Sequence, residues 1–163
     1  LDIVNRQAEG QASLIEMRPA GETADHWTRM ATTQIYRGMA DTSFYGKYKA
    51  QMRARWTQAC DRADVKPFAD ETVHGYVTHV WLQVCAHNDA RKPSEITLFK
   101  FIQGREAAYV VQLAFHYQPT KAQLGESLSY LEQVRVCDTR AKDSPCPAEA
   151  SVHVVEPSPA STP

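Results

Sequence analysis

The sequence predicts an α+β domain, in which an antiparallel meander packs against two main helices as a two-layer sandwich. Three observations lead there. FKFIQGREAAYVVQLAF, Phe99 to Phe115, places two apolar-rich alternating arms around a short polar turn. Between Thr42 and Asp61 an apolar stripe recurs every four residues. At Thr120 a T-x-x-Q pattern opens a further segment with an apolar face.

The bulk properties agree with one globular unit. A chain of 163 residues with 43% hydrophobic and 9% aromatic residues is long enough and apolar enough to bury a single core. We divide it into a globular domain over residues 1–137 and a proline-rich extended or disordered tail over 138–163. Five of the nine prolines fall in that tail, which has no Leu, Ile or aromatic residue, and VHVV (Val152 to Val155) is its one apolar patch. With 18 Lys and Arg against 19 Asp and Glu, the net charge is −1, so the basic excess of a general nucleic-acid binder is absent. Local clusters such as KYKAQMRAR (Lys47 to Arg55) are offset elsewhere. No apolar run approaches the ~20 residues that span a bilayer.

The elements follow in order. SLIEMRPA, Ser13 to Ala20, reads as a short strand ended by Pro19. Thr23 caps a predicted helical turn over Ala24 to Met30, with Asp25 in its first turn, before the β-branched run ATTQIYR favours extension. Phe44, Tyr48, Met52, Trp56 and Cys60 form the stripe of an amphipathic helix, with Lys47, Lys49, Arg53 and Arg55 mostly off it. ETVHGYVTHVWLQVCA, Glu71 to Ala86, reads as one long strand. Ile96 to Ile102 and Tyr109 to Phe115 then form a hairpin about Gln103-Gly104-Arg105-Glu106, and Pro119 ends the meander. Leu124, Leu128, Leu131 and Val134 supply the apolar face of the last helix.

No motif commits the chain to a reaction. G-x-S-x-G, H-E-x-x-H and a glycine-rich phosphate loop are all missing, and the seven glycines are scattered. Asp25-His26 with a serine could form a triad only if the fold assembled it. His74 and His79 point to opposite faces of an ideal strand, whereas His79 and His116 could meet on adjacent strands; Cys85 and His87 share a parity. We assign no catalytic, cofactor-binding or metal-ligating residue. The four cysteines, Cys60, Cys85, Cys137 and Cys146, are too dispersed for a zinc site and fit two disulfides in an oxidising compartment. Their spacing alone permits three pairings.

HWTRMATTQIYRG, the spacing Cys60…Gly75-Tyr76…Cys85, ITLFKFIQGREAAYVVQLAF and YLEQVRVCDTR…PCP together resemble an uncharacterised family of proteobacterial envelope proteins. The resemblance runs from about Ser13 to Pro147, and its members look like secreted or lipid-anchored small domains. The element order also resembles the α+β sandwich of the PsbP/Mog1 group. The family resemblance implies the pairings Cys60 with Cys85 and Cys137 with Cys146. The first would pin the end of the amphipathic helix to the end of the long strand, and the second would fold the tail back.

From these readings we expect a non-catalytic periplasmic or secreted module that binds a protein, peptide or small apolar ligand and uses no cofactor or nucleic acid. The alternative is a small secreted hydrolase whose site is assembled only in the fold. The chain starts at Leu1 with no initiator Met, which accommodates a removed signal peptide or peripheral or lipid-anchored attachment through the N-terminus.

Overall fold

Seven strands build one antiparallel sheet in the computed structural model, which describes residues 1–89, 91–140, 142 and 145–146. In chain order the elements are β1 (Asp2–Glu9), β2 (Ala12–Arg18), β3 (Arg29–Arg37), α1 (Ser43–Ala59) and β4 (Arg62–Val73). They continue with β5 (Tyr76–Ala86), β6 (Glu95–Gln103), β7 (Ala107–Phe115) and α2 (Lys121–Gln133). The strand order across the sheet is β1-β2-β3-β7-β6-β5-β4. Helix α1 therefore carries the chain from β3 to the far edge, and the meander from β4 to β7 works back until β7 closes on β3.

The predicted hairpin forms with Gln103 opposite Ala108, and Gly104 N–H donates to the Ala107 carbonyl at 2.9 Å. Its β6 strand is buried along almost its whole length, on both faces. Successive side chains of a strand alternate between faces, so Phe99 and Phe101 point one way and Leu98, Lys100 and Ile102 the other. On the first face Phe99 and Phe101 pack with Trp81, Ala108, Val110 and Tyr48 of α1, and Trp81 stacks on Phe99 at 4.8 Å between ring centroids. The α1 stripe of Phe44, Tyr45, Tyr48, Met52 and Trp56 delivers this cluster, as its four-residue spacing predicts. On the second face Leu98 and Val111 pack with Leu131 of α2, flanked by Leu124 and Leu128. The antiparallel α+β core stands, but the layering differs from the two-layer expectation. The helices cover opposite faces of the sheet, because β6 and β7 are apolar on both.

Two local readings are corrected. Glu71 to Ala86 is not one strand: His74 (φ 51°) and Gly75 (φ 81°) both take the left-handed conformation and form a two-residue turn between β4 and β5. Positive φ at both central positions matches the twist of a tight hairpin, and Gly75 reaches it without steric cost. The helical turn at Ala24 to Met30 does not form. Thr23 Oγ1 does accept from an amide, that of His26, but the bond closes an isolated bend, and Arg29 and Met30 already belong to β3. The polar segment before Ser13, to which the sequence reading assigns no element, is a strand, β1, paired with β2. The capping box at Thr120 forms as predicted, with Thr120 Oγ1 accepting from Gln123 N–H and Gln123 Oε1 accepting from Thr120 N–H.

Both sheet edges are interrupted. The register of β1 slips between Ile3 and Asn5, and that of β4 slips between Pro67 and Ala69. Bulges, a proline and charged side chains are the devices that keep open edges from pairing with other chains.

Two disulfides join Cys60 to Cys85 and Cys137 to Cys146. They fit a compartment outside the cytoplasm, where such bonds persist. The start of the tail is fastened to the domain by more than its disulfide. Asp138 is buried, accepts from Arg140 Nε at 3.0 Å and from the Tyr76 hydroxyl at 3.3 Å, and lies 3.6 Å from Arg105. Arg140 reaches on to Glu106 at 2.6 Å, so the network clips the tail to the β6–β7 turn. VHVV lies outside the described residues.

Two outcomes follow from this packing. Val111→Asp puts a carboxylate among Leu98 and Leu131, and urea unfolding should show a loss of roughly 3 kcal/mol or more. The second concerns acid. Hydrogen bonds from Arg140 hold the Asp138 carboxyl down at about 2. Because its folded value is lowered, its contribution is complete above the ordinary carboxylate range and fades as pH falls towards about 2. Acid titration of stability should therefore be shallower in Asp138→Asn than in the native chain.

Candidate functional site

A groove of about 460 Å³ opens between β4 and α2 on the second face of the sheet. Its construction begins with the β4 bulge. Before the slip, Val65 and Pro67 lie opposite Gln83 and Trp81 and share the α1 face. Phe68 has no partner in the ladder, and after it Ala69, Glu71 and Val73 lie opposite Val80, Thr78 and Tyr76. One extra residue exchanges the two faces of a strand, so the odd-numbered residues beyond Phe68 turn towards α2. They form one wall; Leu128, Leu131 and Glu132 of α2 form the other, with Val80 and Lys100 beneath and Arg135 at the end. Phe68 stands at the rim, 44% exposed, with Lys66 Nζ 5.6 Å from its ring centroid.

Lys100 is the unusual residue of this site. It is 2% exposed, and Nζ donates to the Leu131 carbonyl at 2.6 Å. That carbonyl belongs to the last turn of α2 and also accepts from the C-cap amide of Val134 at 3.2 Å; a cation at this end complements the helix dipole. Burial lowers the Lys100 ammonium below the ordinary lysine value, Arg135 acts in the same sense, and Glu71 and Glu132 oppose it. The groove thus combines apolar walls with two cations and two carboxylates at its floor and margins. Such a lining can hold an apolar body and orient a polar group at one end.

The histidines are dispersed. His79 lies opposite Phe101 of β6, while His116 follows β7, its N–H donating to the Thr28 carbonyl. Strand β6 stands between β5 and β7, so the expected cross-strand meeting of His79 and His116 does not occur. Each histidine has other neighbours. Asp70 contacts His79 Nδ1 at 2.6 Å and Tyr45 stacks on its ring at 3.5 Å. Trp27 stacks on His116 at 3.4 Å, and Glu95 lies 3.5 Å from its Nε2. His74, in the β4–β5 turn, meets Arg135 at 3.1 Å. Asp25 and His26 are exposed in the bend before β3. Among the described residues no group of three or more His, Cys, Asp or Glu side chains is placed to hold a metal, and no helix is long and apolar enough to cross a membrane.

Sequence reasoning passed over Phe68 and Lys100. A lysine at a core parity in ITLFKFI, between Leu98 and Ile102, was the available signal for the second; Pro67 inside a strand-like run was the signal for the bulge.

No protein-family model and no curated protein matches the chain. Among solved structures it is similar to a Pseudomonas aeruginosa protein of unknown function, PA94, described as a candidate regulator. The two share 16% identity over 77% of this chain and 81% of that chain, with a TM-score of 0.48. A likeness of that size supports no inference about activity. Neither the envelope family nor the PsbP/Mog1 group is shown by these matches.

Raising the pH tests the placement of Lys100. The unfolded chain keeps that proton up to the ordinary value of 10.5, whereas the folded chain releases it earlier. The desolvation penalty is therefore present below the lowered folded value and is relieved as pH rises towards 10.5, so native stability gains relative to Lys100→Met across that interval. Parallel pH–stability curves for the two proteins would show that Lys100 is solvated.

Proposed function

We propose that this chain is a non-catalytic module of the cell envelope, periplasmic or secreted, and that it binds a small apolar ligand in the groove between β4 and α2. The observation that carries this reading is the groove itself. Its volume of about 460 Å³ falls within the range of small-molecule sites, and Phe68, Val80, Leu128 and Leu131 give it an apolar lining. The two disulfides support the compartment. Membership of the envelope family, likeness to the PsbP/Mog1 group, and peripheral or lipid-anchored attachment at the membrane belong to the same proposal.

A second reading, a small secreted hydrolase, is favoured by one contact, the 2.6 Å approach of Asp70 to His79. A carboxylate on Nδ1 is the arrangement that orients a general base. Tyr45 lies flat against the ring at 3.5 Å and occupies one of its faces, which suits a packed histidine better.

Titration with the uncharged apolar fluorophore N-phenyl-1-naphthylamine distinguishes the two. The groove reading expects saturable binding at about one probe per chain, weakened roughly tenfold in Phe68→Ala, an exposed position whose loss should leave folding intact. Binding that does not saturate, or that is indifferent to Phe68, overturns it. Hydrolysis of a fluorogenic ester panel that vanishes in His79→Ala would establish the second reading instead. Fractionation of the native cells checks the compartment.

A further inference from the structure

We propose that the Cys60–Cys85 bridge is a site of thiol–disulfide exchange with a low-molecular-weight thiol, in which Asp61 and His87 form the proton relay. This is independent of the groove. Cys85 Sγ lies 3.5 Å from His87 Nε2, and the other ring nitrogen, Nδ1, lies 3.8 Å from Asp61 Oδ2. That carboxylate oxygen is itself held by Asn88 N–H at 2.7 Å. Carboxylate, imidazole and sulfur are therefore successive neighbours, the set of groups that activates or protonates a sulfur.

The two sulfurs are not equivalent. Cys85 is 8% exposed, on β5 beneath α1, whereas Cys60 is partly exposed at the end of α1. An incoming thiolate reaches Cys60. The bond it forms to Cys60 Sγ replaces the Cys60–Cys85 bond, and the electron pair leaves on Cys85 Sγ, the sulfur beside His87. An imidazolium there gives its Nε2 proton to the departing thiolate, so the products are a mixed disulfide at Cys60 and a neutral thiol at Cys85. In reverse, neutral His87 takes the proton back, Cys85 attacks Cys60, and the small thiol is released. One disulfide is present on each side and no external oxidant is consumed. A protonated leaving sulfur departs faster, which is the rate advantage. A partly covered Cys60 admits a small thiol more readily than a cysteine on another protein.

Other charges face the relay. Asp89 interacts with His87 but is held by Arg91 at 3.0 Å, and Glu95 of β6 lies opposite Cys85 in register, with its carboxylate 3.5 Å from His116.

The test uses the whole chain and glutathione, with acid quenching, N-ethylmaleimide and peptide mapping, and Cys137–Cys146 as the internal comparator. Glutathione should appear on Cys60 and N-ethylmaleimide on Cys85. In His87→Gln the exchange rate at Cys60–Cys85 should fall about tenfold. Asp61→Asn should lie between. Glutathione on Cys85, exchange confined to Cys137–Cys146, no exchange, or equal rates with and without His87 would each overturn the proposal. The mapping on the native chain decides even if a variant misfolds.

Discussion

A strand that is apolar on both faces must be covered twice, and β6 imposes this on the whole molecule. Phe99 and Phe101 require one roof, Leu98 and Ile102 another, and the chain supplies α1 and α2 from opposite sides of the meander. The length of the crossover, the position of the second helix after β7, and the burial of Trp81 all follow from that need. Large aromatic side chains dominate the α1 layer, whereas aliphatic ones fill the α2 layer. The α1 layer is also threaded by hydrogen bonds. The Tyr48 hydroxyl donates to Gln34 and accepts from Gln112, so a buried phenol has partners on β3 and β7.

The second cover is the shorter helix, and it leaves the β4 margin open. There the bulge at Phe68 turns the later part of β4 towards α2 instead of away from it, and a concavity results where a flat, fully packed contact would otherwise stand. Lys100 fits the same logic. Its stem fills the space beneath the helix end and its ammonium is a second donor to the Leu131 carbonyl, which also accepts from Val134 N–H. One irregularity in an edge strand and one lysine in a core register thus make the candidate site.

Much of the fold was legible because its periodicities are long and unmixed. The α1 stripe, the alternating arms of the β6–β7 hairpin and the T-x-x-Q box each rest on several residues that agree. Failures came where one residue decides. His74 is not a common turn residue, and with Val73 before it and Tyr76-Val77 after it the β4–β5 turn reads as continued strand. Thr23 makes the bond of a helix cap without a helix following it. Strand β1 has too few apolar residues to alternate, since it is exposed nearly throughout and takes its form from pairing with β2. The groove was hidden for a related reason. Parity across a bulge reverses, and nothing in RADVKPFADETV marks which residue is the extra one.

The closing pair of the sheet, β3 with β7, has a consequence for timing. Arg29 lies opposite Phe115 and Arg37 opposite Ala107, so this ladder joins segments separated by all of α1 and the meander. Contacts of such sequence separation form late, after the nearer hairpins have reduced the entropy of closing the loop. A chain emerging from its N-terminus would display β1 to β3 well before their lasting neighbour exists. During that interval the outer side of β3 is an unmatched ladder, and the speed with which β7 arrives governs how long nascent copies remain adhesive to one another.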